Sequence, residues 1–310
     1  MDHLVVNVGI IGLSEGNGHP FSFSAIINGY SESGLAASGW PGIYDYVRRR
    51  DRSEFGIDGL RVTHAWTQDS ALTKKLCDAC LIPYAVSDPK EFLGNVDAVI
   101  IARDDFEIHF PLAMPFLKAG LHVFVDKPLS VDTTELISFR KYLENGRLMS
   151  CSGMRYAREL DEPRASLSDY GELKLVRGAV LNSWEQYGVH LIDAIFNVLK
   201  SSPVSVVSLD APHTSMAIHM SDGSLLQLDA LGEVAKCFRV DIFGTKKNTS
   251  HEIIDNFSMF RRMLWHFSES IRTGTPAIPP HETLDVMRIL IAGRISIKDG
   301  RKVHLDEIQI

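Results

Sequence analysis

Cysteine is scarce in this sequence. Cys77, Cys80, Cys151 and Cys237 are too few across 310 residues for a disulfide scaffold and suit a reducing compartment. No apolar run approaches the roughly 18 residues that a membrane span needs. The first 47 residues contain no Lys or Arg, so the basic start of a secretion signal is missing. A cytoplasmic protein without a membrane partner is expected. Lys and Arg number 32 against 39 Asp and Glu, a net charge of −7. That balance gives no general electrostatic reason to bind nucleic acid, and no nucleic-acid partner is expected. Internal repeats and low-complexity segments are absent. What remains is an ordinary globular composition, 45% hydrophobic and 23% charged. The length suits two domains of about 100–200 residues each.

The first half alternates strand and helix patterns. Residues 4–12 (LVVNVGIIG) read as a buried strand ending in glycine. A glycine-rich turn and a helix over 21–30 follow, with Pro20 in the first turn. Residues 31–59 look irregular, apart from a short helix near 43–50. Strands are expected at 60–67, 96–102, 122–125 and 147–152, and helices at 70–80, 106–120 and 133–144. This is the doubly wound α/β signature. The second half differs. A strand at 173–181 and a helix at 185–199 precede strands at 204–209, 215–220, 225–230 and 238–243. Helices at 257–272 and 281–298 close the chain. Consecutive strands flanked by helices imply an α+β domain with an open, mostly antiparallel sheet. The boundary is expected near Pro128, giving domains 1–128 and 129–310.

Several constellations carry chemistry. A strand, a glycine turn and a helix start present backbone N–H groups and a helix dipole to phosphate. Here the spacing is Gly12, Gly16 and Gly18, not the usual G-x-G-x-x-G. The second strand ends in Trp66-Thr67-Gln68-Asp69, without an acid at the ribose position; Thr67 and Gln68 offer a hydroxyl and an amide instead. Lys127 stands at a strand's carboxyl end, the side where open α/β sheets bind ligands. His190 and Asp193 share a helix face, and a histidine with a neighbouring acid suits general base work. Cys77 and Cys80 lack a second cysteine pair and read as core, so no metal is expected. The Arg48–Arg52 run reads as a solvated helix face, with a substrate phosphate as its alternative partner.

These pieces, in this order, resemble the glucose–fructose oxidoreductase/inositol dehydrogenase/MocA (Gfo/Idh/MocA) family. The likeness rests on VGIIGL at 8–13, VDAVIIA at 96–102, AGLHVFVDKPLS at 119–130, GMRY at 153–156 and GVHLID at 188–193. The closing helices and strand also read like the family's. The resemblance implies a Rossmann domain, a second α/β domain and a homo-oligomer, dimer or tetramer. It implies NAD or NADP as cofactor and redox chemistry on a sugar, cyclitol or sugar nucleotide. Lys127 matches the family's catalytic lysine, and His190 the histidine that exchanges the hydroxyl proton. The dinucleotide would lie against Gly12, Leu13, Ser14, Gly16, Gly18 and His19, with Thr67, Gln68, Ala102, Arg103, Asp126 and Lys127 nearby. His109 either neighbours the nicotinamide or packs. Arg155, Tyr156, Trp184, Gln186, Tyr187 and Asp193 would face substrate. The sequence departs from the family at Asp126, where glutamate is usual, and at Gln186, where aspartate is frequent. Arg103-Asp104-Asp105 replaces a common Thr-Pro, residues 31–59 look inserted, and 155–190 looks short, implying a reduced substrate wall. Two rivals remain: glycosidic bond cleavage with tightly held NAD, and a non-catalytic dinucleotide or sugar-nucleotide binder.

Overall fold

The apolar, β-branched opening of the chain folds as β1 (Val6–Ile11) in the computed structural model, which describes residues 5–310. Leu4, expected to begin that strand, lies outside the described residues. There follow α1 (His19–Asn28), α2 (Glu32–Ala36), α3 (Pro41–Arg48), β2 (Leu60–Trp66), α4 (Ser70–Cys80), β3 (Tyr84–Ala85), β4 (Ala98–Ile101), α5 (His109–Lys118), β5 (His122–Val125), α6 (Thr133–Glu144) and β6 (Leu148–Ser150). All six strands pair in parallel, in the order β3-β2-β1-β4-β5-β6. This is the Rossmann order, and its direction reverses between β1 and β4, where the ligand crevice of such sheets opens. β4 and β5 are buried along their whole length, which is why they read as unbroken apolar runs.

The 31–59 segment is more ordered than expected. It contains α2, α3 and a 3₁₀ turn at Arg52–Glu54. The segment is anchored by polar and aromatic contacts: the Tyr46 hydroxyl donates to Ser22 Oγ at 2.5 Å, and Trp40 packs on Phe21. The arginine run is a paired surface. Arg48 and Arg49 meet Asp45, Arg50 meets Glu54, and Arg52 lies 4.6 Å over the Tyr30 ring. Cys77 and Cys80 are buried on α4, and burial pushes the Cys77 thiol up to about 11, which marks an inert core residue.

The second unit contains α7 (Asp161–Ala165), β7 (Leu173–Val180), α8 (Val189–Phe196), β8 (Pro203–Leu209), β9 (Thr214–Met220), β10 (Leu225–Ala230), β11 (Phe238–Gly244) and β12 (Asn248–Glu252). The chain continues as α9 (Asn256–Thr273), α10 (Pro280–Asp299) and β13 (Val303–His304). Its seven strands run β12-β11-β7-β10-β9-β8-β13; β7 and β10 pair in parallel, and the other pairs are antiparallel. β12 was not expected; β13 is the closing strand that the family resemblance implied. Asn248–Glu252 is a polar edge strand, and Val303–His304 pairs over two residues, so neither carries an apolar alternation. The 185–199 helix expectation resolves into a π turn, Trp184–Gly188, followed by α8.

The compact units do not follow one cut in the sequence. One takes in residues up to Ser130, then Phe139–Ser150 and Phe260–Pro279; the other takes Val131–Ser138, Cys151–Met259 and Pro280–Ile310. The single division at Pro128 misses this exchange because late aromatic residues complete the first core. Phe267 packs edge-on against Phe124 at 5.8 Å, and Phe260 meets Phe23 at 5.2 Å. Local periodicity carries no record of such long-range packing.

Trp184 shows how tightly the second core is packed. Its ring is 1% exposed, and its indole N–H donates to the Leu290 carbonyl at 3.4 Å. A Cβ on Gly293 of α10 would stand 2.7 Å from Trp184 Nε1. Gly→Ala inside a helix ordinarily stabilises by about 1 kcal/mol. Here the sign reverses: Gly293→Ala should destabilise by about 1–3 kcal/mol through overpacking, read as a lower urea midpoint at unchanged slope.

Candidate functional site

In the first unit, the turn after β1 is built from packing and hydrogen bonds. A Cβ on Gly12 would lie 2.3 Å from Pro20 Cγ, and one on Gly18 2.5 Å from Ile43 Cδ1 and 2.6 Å from the Trp40 ring. Gly16 differs: its φ is +75° and a Cβ there would meet nothing within 4 Å. Asn17 Oδ1 accepts the His19 amide at 2.8 Å, capping the entry to α1. Gln68 clamps Leu13, accepting its N–H at 3.0 Å and donating to its carbonyl at 2.7 Å. Among the described residues, the amides of Glu15, Gly16 and Gly18 have no intramolecular partner, and Gly18 is buried. Unpartnered amides before a helix form an anion cradle, so the turn fits a dinucleotide pyrophosphate.

The end of β2 is occupied by structural bonds. The buried Thr67 hydroxyl donates to the Asp69 carbonyl at 2.6 Å and pairs with Thr73 at 2.8 Å. Asp69 caps α4 by accepting from Ala71 and Leu72. At the end of β4, Ala102 is buried, and its amide donates to the Ile11 carbonyl at 2.8 Å. Arg103 forks onto Asp105 at 2.9 and 2.6 Å and donates to Gln68 at 3.0 Å. His109 is fully buried; its ring nitrogens face the carbonyls of Pro128 at 2.9 Å and Arg103 at 2.8 Å. It braces two loops, the packing alternative of the sequence reading.

Two carboxylates meet Lys127. Asp126, 2% exposed, accepts from His19 Nδ1 at 2.5 Å and Asn17 Nδ2 at 3.1 Å through Oδ2, and from the Lys127 amide at 2.9 Å through Oδ1. Burial alone would raise its pKa. The His19 ring and the Lys127 charge overcome that and hold the carboxyl well below the usual range. Asp104 Oδ2 lies 3.6 Å from Lys127 Nζ, and its Oδ1 accepts from Ser14 Oγ at 2.5 Å. The lysine side chain is 5% exposed.

In the second unit, the π turn Trp184–Gly188 launches α8; such turns recur at functional positions. His190 meets Ser152 Oγ through Nδ1 at 2.7 Å and lies edge-on to Tyr187 at 5.2 Å. Asp193, buried, accepts the Ser152 amide at 2.6 Å and Arg155 Nη1 at 2.9 Å; Arg155 also meets Glu282. Burial would lower the Arg155 pKa, but Asp193 and Glu282 raise it, so the guanidinium stays charged. Arg155, Tyr156 and Asp193 are thus core residues that fix α8, and Gln186 is exposed. Trp184, expected to face substrate, is a core residue for the packing reason given above. Sequence reasoning missed Ser152 and Asn17, which have no motif of their own; their roles appear only once distant segments meet.

Residues 6–148 match a family model described as an oxidoreductase family with an NAD-binding Rossmann fold. Residues 6–148 are a Gfo/Idh/MocA oxidoreductase domain. An uncharacterized oxidoreductase of Escherichia coli K12, YdgJ, is 41% identical over 70 residues, 21% of this chain. That match spans 19% of the relative's length. The Gfo/Idh/MocA domain and the second unit together have the fold of solved dehydrogenases. A scyllo-inositol dehydrogenase from Lactobacillus casei with bound NAD(H) and scyllo-inositol superposes with a TM-score of 0.73 at 15% identity, covering 97% of this chain and 99% of that one. A myo-inositol 2-dehydrogenase from Lactobacillus plantarum gives 0.76 at 16% identity, with the same coverage. A probable dehydrogenase from Thermotoga maritima gives 0.75 at 15%, covering 98% and 100%. At these identities the likeness is one of fold.

The Asp126 pairing fixes a pH dependence. A folded-state pKa below the ordinary value of about 4 means that the ionised carboxyl stabilises the protein above that pH. The contribution is lost as pH falls toward the folded-state pKa. Between about pH 5 and pH 3, the urea midpoint of Asp126→Asn should therefore fall less steeply than that of the parent protein. Parallel slopes would remove the pairing from the stability of the fold.

Proposed function

We propose that this protein is an NAD(P)-dependent dehydrogenase acting at a secondary alcohol or ketone of a sugar or cyclitol. The observation that carries the reading is Lys127, nearly buried at the carboxyl end of β5 in an NAD-binding Rossmann domain and set between two carboxylates. The bound nicotinamide would supply the hydride acceptor or donor. The chain's own residues would do the rest. The cradle at 15–18 would hold the pyrophosphate, and the Lys127 ammonium would stabilise the developing alkoxide. His190, tethered through Nδ1, would take the hydroxyl proton at Nε2, with Ser152 fixing the ring plane. The inositol substrates of the solved dehydrogenases of the same fold support a polyol as the substrate class. Thr67 and Gln68, held by internal bonds, are compatible with either NAD or NADP. A cytoplasmic homo-oligomer completes the reading.

Two experiments test it. Gly12→Glu would collide with Pro20 whatever the turn binds, so Gly16 is the better probe. Asp tolerates positive φ, and Gly16→Asp should keep the fold while its carboxylate repels phosphate. NADH affinity, read by fluorescence titration, should fall; unchanged affinity would place the cofactor elsewhere. Second, Lys127→Met and His190→Ala should each slow single-turnover oxidation of a polyol substrate by about 10²–10⁴. NADH binding should survive in both. The double variant should lose less than the product of the two, as residues serving one step do. Near-normal turnover in a folded, cofactor-loaded Lys127→Met would overturn the mechanism.

A further inference from the structure

The glycine turn and Lys127 are joined by more bonds than a phosphate cradle requires. Asp126 is gripped from the turn side by Asn17 at 3.1 Å and His19 at 2.5 Å, and accepts the Lys127 amide at 2.9 Å. Asp104 accepts from Ser14 Oγ at 2.5 Å and returns its own amide to that oxygen at 3.1 Å, while its other carboxylate oxygen faces Lys127 Nζ at 3.6 Å. Three turn side chains therefore hold two carboxylates, and these hold Lys127 at both ends, backbone and ammonium.

We propose that the 14–19 turn positions Lys127 through Asp126 and Asp104, with His19 as the principal positioning residue. The physical ground is burial. A carboxylate that is 2% exposed is stable only if its oxygens are satisfied, so Asp126 stays where its donors are. His19 is itself fixed, stacked on Phe23 at 4.9 Å and edge-on to Phe260 at 5.1 Å. The Nδ1 proton is thereby aimed at Asp126 by a rigid aromatic wall. Glu15, Gly16 and Gly18 offer their amides from the same short loop that carries Ser14, Asn17 and His19. Ordering that loop around an anion orders the lysine's two anchors. Cofactor binding and lysine placement thus become one event. The catalytic meaning of Lys127 rests on the dehydrogenase reading; the tether does not.

The test separates the two. Lysine carrying ¹³C at its ε-carbon is incorporated during expression, because a side chain 5% exposed is closed to labelling reagents, and the Lys127 signal is identified by its loss in Lys127→Arg. His19→Leu keeps an apolar side chain against Phe23 and Phe260 but removes the donor. His19→Asn keeps a donor at the Nδ1 position. In the protein without cofactor, His19→Leu should shift and broaden the Lys127 Cε resonance, and His19→Asn should restore it. Adding NADH should sharpen the parent signal and leave that of His19→Leu broad. Ser14→Ala should shift the resonance in the same direction by a smaller amount. Oxidation rates follow: misplacing a reacting group by about 1 Å can cost about 10²-fold. His19→Leu should lose about that much, and His19→Asn should recover to within about tenfold of the parent. A folded His19→Leu with an unchanged Lys127 resonance would overturn the tether, whatever the protein's activity. An altered resonance with no dehydrogenase activity in the parent would keep the tether and overturn the dehydrogenase reading. A His19→Asn as impaired as His19→Leu in the Cε signal would show that His19 only packs, and would also overturn the tether.

Discussion

A buried carboxylate constrains the first unit more than any other group. Asp126 lies at the carboxyl end of a fully buried strand, where an unpaired charge would cost several kcal/mol. Its donors come from the turn after β1 and from the next main-chain amide, so strand end, turn and lysine share one geometry. A dinucleotide turn is usually explained by glycine and the helix dipole. Here side chains add a second layer, and packing explains two of the three glycines, while Gly16 answers to its positive φ. Gly12 makes room for Pro20, and Gly18 for Trp40 and Ile43 of the 31–59 segment. That segment buttresses the turn.

The second unit solves a similar problem in a similar way. Asp193 is buried on α8, and its partners, the Ser152 amide and Arg155, come from the segment just after β6. Removing one member of such a pair strands the other, at about 3–5 kcal/mol. The pairing thereby locks α8 to the 152–155 segment. Ser152 then meets His190 one turn earlier on the same helix, so the ring's orientation follows from a buried ion pair. His190 and Asp193 do share a helix face, as their spacing implies, yet the acid does not orient the histidine. A serine does, and the acid orients the serine's main chain.

Much of this was legible in the sequence. The buried parallel strands announce themselves as apolar runs, and α4, β5, α6 and β10 fall where periodicity and turn residues place them. Lys127 and His190 were legible as strand-end and helix-start residues in a familiar order. Side-chain partnership was not. Thr67 and Gln68 look like ribose ligands at a strand end, but one closes a hydroxyl pair and the other clamps Leu13. Trp184 looks like a binding aromatic and is core. In each case a polar or aromatic residue near a site has two available uses, and only tertiary packing selects between them. The exchange of segments between the compact units was illegible for the same reason: Phe260 and Phe267 have the spacing of any amphipathic helix.

The departures at Asp126 and at 103–105 make sense together, whereas the exposed Gln186 stands apart from them. An aspartate at 126 has one methylene less reach than glutamate, and Asn17 and His19 come to meet it from the turn. A Thr-Pro pair would lack the carboxylate that Asp104 sets 3.6 Å from Lys127 Nζ, where Ser14 holds it. Arg103 is neutralised by its fork on Asp105 and directed to Gln68. Gln68 in turn holds the first residue after Gly12. The altered residues therefore form one connected polar network running from the end of β2 through the turn to the ends of β4 and β5. Networks of this kind stabilise only when every member is satisfied, because the low dielectric that strengthens each bond also penalises each gap. Single reversions toward the family pattern would each open such a gap, which is a physical reason for these substitutions to occur as a set.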